Sequence, residues 1–175
     1  MAFSKVRALA VIGVLFIVSL VAATMAIVKD RQAYGAVPGA CGKGDVPVNL
    51  RLPQSAHDVK VNVLNGSGRD GAAGRTATDL KNRHFDVVRT ADSEGRTGGV
   101  LVRYGPKAVG SAWWLKAYFL YEAADGFDPA RTDDVVDVVL GTEPTTLGSE
   151  VEAKQAIAQE GGPKLRKGTC DIRLR

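Results

Sequence analysis

Cysteine and histidine are scarce in this chain, with two of each among 175 residues. Two cysteines are too few for a disulfide-dense miniprotein. The histidines, His57 and His84, stand alone, without the spacing that metal ligation needs. Long apolar runs are lacking except for one near the N-terminus, which excludes a multi-pass membrane protein. A basic excess on the body of the chain is lacking too. The formal net charge is +4, but Lys5, Arg7, Lys29 and Arg31, with Asp30, flank the apolar run. Without those five, the 23 basic and 19 acidic residues become 19 and 18, a balance of +1 from Gln32 onward. A duplex-binding domain carries its own positive charge, so nucleic acid is not an expected partner. The length allows one ordinary domain plus an appendage.

The apolar run covers residues 8–28, twenty-one positions without a charge. As a helix rising ~1.5 Å per residue it would span ~31 Å, the thickness of a bilayer core. The alternative is a cleaved signal peptide, with Thr24-Met25-Ala26 as a weak cleavage site; the run is longer than a usual signal core. No cysteine follows it closely, so a lipoprotein-type attachment is not indicated. The positive-inside rule only slightly favours a cytoplasmic N-terminus. Cys41 and Cys170 add to the case for that orientation. They sit near the two ends of the hydrophilic part, where one bridge would tie a domain's termini together, and such bridges form outside the cytoplasm. Two unrelated buried thiols are the other reading.

The expected organisation is a cytoplasmic tail (1–7), a transmembrane helix (8–28), a Gly- and Pro-rich linker or strap (32–56), a domain (57–145), and a C-terminal helix with a basic tail (146–175). Val59, Val61 and Val63 alternate with polar residues, as in a half-buried strand. Asn65 to Gly71 is a glycine-rich turn, and Ala73, Ala77 and Leu80 follow at helical spacing. Strands are expected over 85–89 and 100–104, a helix over 107–124, a strand over 133–140 and a short helix over 150–159. On the second helix, Trp113, Trp114, Ala117, Tyr118, Leu120 and Tyr121 share one broad face. Leu115 and Phe119 fall on the other, where the strap or the C-terminal segment would have to cover them. The order β-α-β-β-α-β predicts an α+β sandwich: a four-stranded sheet with two helices on one face.

Gly66-x-Gly68-x-x-Gly71 formally matches the dinucleotide fingerprint, with Asp92 placed like a ribose ligand. A doubly wound domain needs more parallel strands and a crossover helix before the third, so no cofactor is expected. The turn's backbone amides and Arg69 could still hold an anion, which makes Asn65, Gly66, Ser67, Gly68, Arg69 and Gly71 candidate anion- or partner-binding residues. The plainer reading is that the glycines only permit a tight turn. No catalytic set is evident. Ser67 lies outside a G-x-S-x-G frame, and Asp133 and Asp134 read as solvated acids. Trp113 and Trp114 could stack on a sugar ring, although the helical phase favours core packing for at least one. The tail basics Lys164, Arg166, Lys167, Arg173 and Arg175 could meet anionic wall polymers.

The stretch Val61-Asn62-Val63-Leu64-Asn65-Gly66-Ser67-Gly68-Arg69-Asp70-Gly71-Ala72-Ala73 resembles the opening of the LytR C-terminal domain family. Leu80, Phe85-Asp86-Val87-Val88, Val102-Arg103-Tyr104-Gly105 and residues 134–141 are similar to its later blocks. The resemblance implies a small extracytoplasmic domain of Gram-positive bacteria, often found behind a LytR-CpsA-Psr phosphotransferase domain. No such domain precedes it here. The likeness therefore points to stand-alone, membrane-anchored members, the mycobacterial VirR type among them. It implies a non-catalytic scaffold at the cell membrane that binds wall glycan or envelope enzymes such as LytR-CpsA-Psr proteins. A cryptic enzyme acting on polyprenyl-phosphate-linked glycan is the alternative.

Overall fold

The computed structural model describes Arg7, residues 12–22, Thr24, and residues 41–95 and 97–172. It divides into two units, Met1–Gly39 and Ala40–Arg175. In the first, residues 12–22 are helical and Ile12 to Val18 are largely exposed. The ends of the expected span over 8–28 lie outside the described residues. Among the described residues, no helix is long and apolar enough to cross a membrane.

The second unit runs β1 (Val46–Val48), β2 (Lys60–Asn65), α1 (Ala72–Asn82), β3 (Asp86–Asp92), β4 (Leu101–Tyr104), α2 (Val109–Ala117), β5 (Ala124–Phe127), β6 (Val136–Leu140), α3 (Glu150–Glu160) and β7 (Thr169–Asp171). Five strands form one sheet in the order β3-β2-β6-β4-β5, and β1 pairs with β7 separately. The expected α+β class holds, but the sheet has five strands rather than four. The extra strand, Ala124–Phe127, begins where the helix expected over 107–124 would end. That helix stops at Ala117, because Leu120 and Tyr121 adopt φ of 49° and 59° and turn the chain back. Residues 124–127 then pair in parallel with β4.

Period-two alternation makes the core. Val61 and Val63 of β2, Val102 of β4, and Val136 and Val138 of β6 stand in register on one face, each 0% exposed. α1 brings Ala73, Ala77 and Leu80 to them, and α2 brings Ala112 and Leu115. Burying a side chain such as Leu80 or Leu115 stabilises the fold by about 1.5–3 kcal/mol. Both sides expected for α2 reach the core: Ala117 and Tyr118 of the broad face are buried, and so are Leu115 and Phe119 of the other, whereas Leu120 is 47% exposed. The left-handed residues past the end of α2 take Leu120 out of the helical phase on which that expectation depended. A further layer is present: α3 of the C-terminal segment lies on α2, with Ala153 in the core.

The strap and tail are more regular than expected. β1 and β7 pair in parallel, Pro47 opposite Cys170, and the Cys41–Cys170 disulfide closes the same corner with Cα atoms 5.4 Å apart. Parallel neighbours need a crossover, and here nearly the whole domain supplies it. The strap then crosses the start of α2 rather than Leu115 and Phe119. The Gly110 amide donates to the Asn49 carbonyl, and a Cβ at Gly110 would lie 2.0 Å from the Arg51 carbonyl oxygen.

Candidate functional site

Asn65 ends the interior strand β2, where its neighbours in register are Asp92 of β3 and Leu140 of β6. The glycine-rich turn therefore leaves the carboxyl end of three parallel strands, where open α/β sheets tend to place their ligands. Its conformation is set by its own polar side chains. The Asn65 carboxamide oxygen accepts from the Ser67 hydroxyl at 2.6 Å and the Ser67 amide at 3.2 Å. The Ser67 oxygen in turn accepts from the Arg69 amide at 3.1 Å, and Asn65 Nδ2 donates to the Arg69 carbonyl at 3.0 Å. Gly68 and Gly71 both have φ of 70°, the left-handed region that glycine enters without strain. Gly66 is needed for space: a Cβ there would lie 2.6 Å from the Gly95 carbonyl oxygen and 3.0 Å from that of Leu140.

The six residues expected here are thus together, but two amides that an anion would require are donated within the turn. Ser67 itself is 8% exposed. Arg69 remains at the surface, with one long bond to the Glu143 carbonyl at 3.4 Å. It borders a cavity of about 210 Å³ with Arg75, Asp79 and Glu143, so two cations face two acids across it. Such a site can exchange hydrogen bonds with a polar ligand; it carries no surplus of positive charge. Arg75 was not legible as a lining residue, because the helical period alone does not tell which flank of α1 borders a loop.

Asp133 and Asp134 are separate ion-pair partners, not a catalytic pair. Arg131 meets Asp133 at 2.8 Å and Asp137 at 2.9 Å, while Lys60 meets Asp134 at 3.0 Å. The hydrogen bond from Arg131 is the main reason the Asp133 carboxyl stays below the ordinary carboxylate range. Asp137 also accepts from Asn62 at 2.9 Å, which pins β2 to β6 on the face opposite the core. Trp114 packs on the core, and Trp113 lies beside Tyr121 with ring centroids 5.4 Å apart. His57 and His84 are exposed; His57 lies in a short 3-10 turn before β2, His84 in the turn after α1, and both border one cavity. Among the described residues, no three His, Cys, Asp or Glu side chains converge as metal ligands do. Of the tail basics, Lys164, Arg166 and Lys167 precede β7, and Arg173 and Arg175 lie outside the described residues.

The fold and turn define a class first: an α+β module built around a strand, an Asn-Gly-Ser-Gly turn and a helix. A family model described as LytR cell envelope-related transcriptional attenuator, LytR_C, matches residues 58–143. The chain is 30% identical over 185 residues to the cell envelope integrity protein Cei of Mycobacterium tuberculosis, covering 94% of this chain and 82% of that one. The soluble domain of a conserved hypothetical secreted protein from Mycobacterium marinum is a solved structure with 27% identity and a TM-score of 0.49, covering 69% of this chain and 82% of the other. This chain belongs to the LytR C-terminal domain family. The narrower likeness to its VirR type stays an expectation from the sequence.

Proposed function

We propose that this protein is a non-catalytic, membrane-anchored accessory or scaffold of cell-envelope assembly, with its folded domain outside the membrane. The observation that carries this reading is the 30% identity to Cei, an envelope integrity protein, along 94% of the chain. Two features support it. The Cys41–Cys170 bridge suits an oxidising compartment, and the uncharged stretch over 8–28 has the length of a membrane anchor. The ligands of such a scaffold are wall polymer or envelope enzymes, LytR-CpsA-Psr proteins among them.

Deletion of the gene tests this directly. The deleted strain should become more sensitive to detergent and to lysozyme. The full chain should restore resistance, and a form lacking residues 8–28 should not. Unaltered sensitivity in the deleted strain would remove the envelope role.

A further inference from the structure

A second cavity, of about 320 Å³, lies where the tail following α3 passes α2 and β5. Its walls combine two aromatic rings, Tyr104 and Trp113, with several charged groups. Asp125 of β5 organises them: its carboxylate accepts from the Tyr104 hydroxyl at 2.8 Å and from Lys116 at 3.1 Å, and pairs with Arg166 of the tail. That one acid uses only part of the donors around it. An ammonium offers three N–H groups and a guanidinium five, so Lys116 and Arg166 keep unspent donors. Lys164, exposed at the rim, adds a third cation. Trp113 lines the same cavity, partly buried and in ring contact with Tyr121.

We propose that this cavity is a subsite for a sugar unit carrying a carboxylate or phosphate. The ring would lie against Trp113, and the anionic group would take the spare donors of Lys116, Arg166 and Lys164. An aromatic wall with a few convergent polar groups is the usual make-up of a small-ligand pocket, and charge-assisted bonds supply its selectivity. Glu160, also in the lining, can accept from sugar hydroxyls. Burial first, and Arg166 second, hold the Lys116 ammonium below its ordinary range. An anion arriving between Lys116 and Arg166 would offset their mutual repulsion.

The source of such a sugar rests on the envelope reading above: a wall polymer bears carboxylates, and a lipid headgroup bears phosphate. The test uses the full chain in a sugar-free polyoxyethylene detergent. Three probes are titrated by calorimetry and tryptophan fluorescence: tetragalacturonate, glucose 1-phosphate and neutral cellotetraose. At least one anionic probe should bind at least tenfold more tightly than cellotetraose. Tighter binding of tetragalacturonate assigns the polymer source, and tighter binding of glucose 1-phosphate the headgroup source. Lys164→Gln, at an exposed position, should weaken the preferred probe about tenfold, and Trp113→Leu should weaken it further. Equal affinity for neutral and anionic probes, no binding of either anionic probe, or unchanged affinity in a folded Trp113→Leu, Lys164→Gln protein would overturn the site. The deletion assay does not depend on these variants, so failure of the cavity and failure of the envelope role are seen separately.

Discussion

Gly66 has no room for a methyl group, Gly68 has a left-handed φ that strains a side-chain-bearing residue, and Arg69 is not in the left-handed region. Substitutions at the three should therefore separate architecture from recognition. Gly68→Ala should cost about 1–2 kcal/mol through left-handed strain. Gly66→Ala should cost more, since the obstacles are carbonyl oxygens of two other segments. Arg69→Ala should change stability by no more than about 0.5 kcal/mol, because its side chain makes one long surface bond. Chemical denaturation of the three variants gives the order directly. If the turn also contacts an anion of the envelope, Arg69→Ala should weaken sedimentation with wall material about tenfold. Unchanged sedimentation of the folded variant would leave the turn with a structural role alone.

At the scale of elements, Arg131 and the disulfide each hold segments that the sheet does not. Arg131 joins the loop before β6 to Asp133, Asp137 and the Val135 carbonyl. Arg131→Gln should destabilise the domain by roughly 1–3 kcal/mol at neutral pH. The Asp133 carboxyl is depressed in the folded state, so its contribution is whole above about pH 4 and fades as the pH falls through the folded value. Stability of the Arg131→Gln protein should therefore fall less steeply with acid below pH 4, and identical pH slopes would contradict the pairing. The disulfide closes a loop with a sequence separation of 129. Its reduction should cost about 2–5 kcal/mol, seen as a lower unfolding temperature, while the five-stranded core remains folded.

Much of this organisation could be read before the structure. Alternating valines announced β2, a near-continuous valine run announced β6, and Ala73, Ala77 and Leu80 at helical spacing announced α1. β5 could not be read, since Ala124-Asp125-Gly126-Phe127 is short and has no alternation. β1 and β7 were hidden for a different reason: three-residue strands pair across the whole domain, and only the two cysteines hinted at it. The cavity by the tail was equally hidden. Trp113 and Arg166 stood out singly, but nothing local brings Arg166 to Lys116, fifty residues earlier.

For the whole molecule, the account joins an apolar N-terminal segment, a domain closed by a disulfide, and kinship with an envelope integrity protein. The proposed function predicts one topology: a cytoplasmic N-terminus, and residues 41–175 on the outer side. Thiol labelling bears on it, since the exported chain, denatured without reductant, should label at neither cysteine. The most direct measurement is protease shaving of intact spheroplasts from cells making the chain with a tag after Arg175. The account predicts that the tag is lost while a cytoplasmic marker survives. A tag that stays protected until the membrane is dissolved would place the domain inside and contradict it.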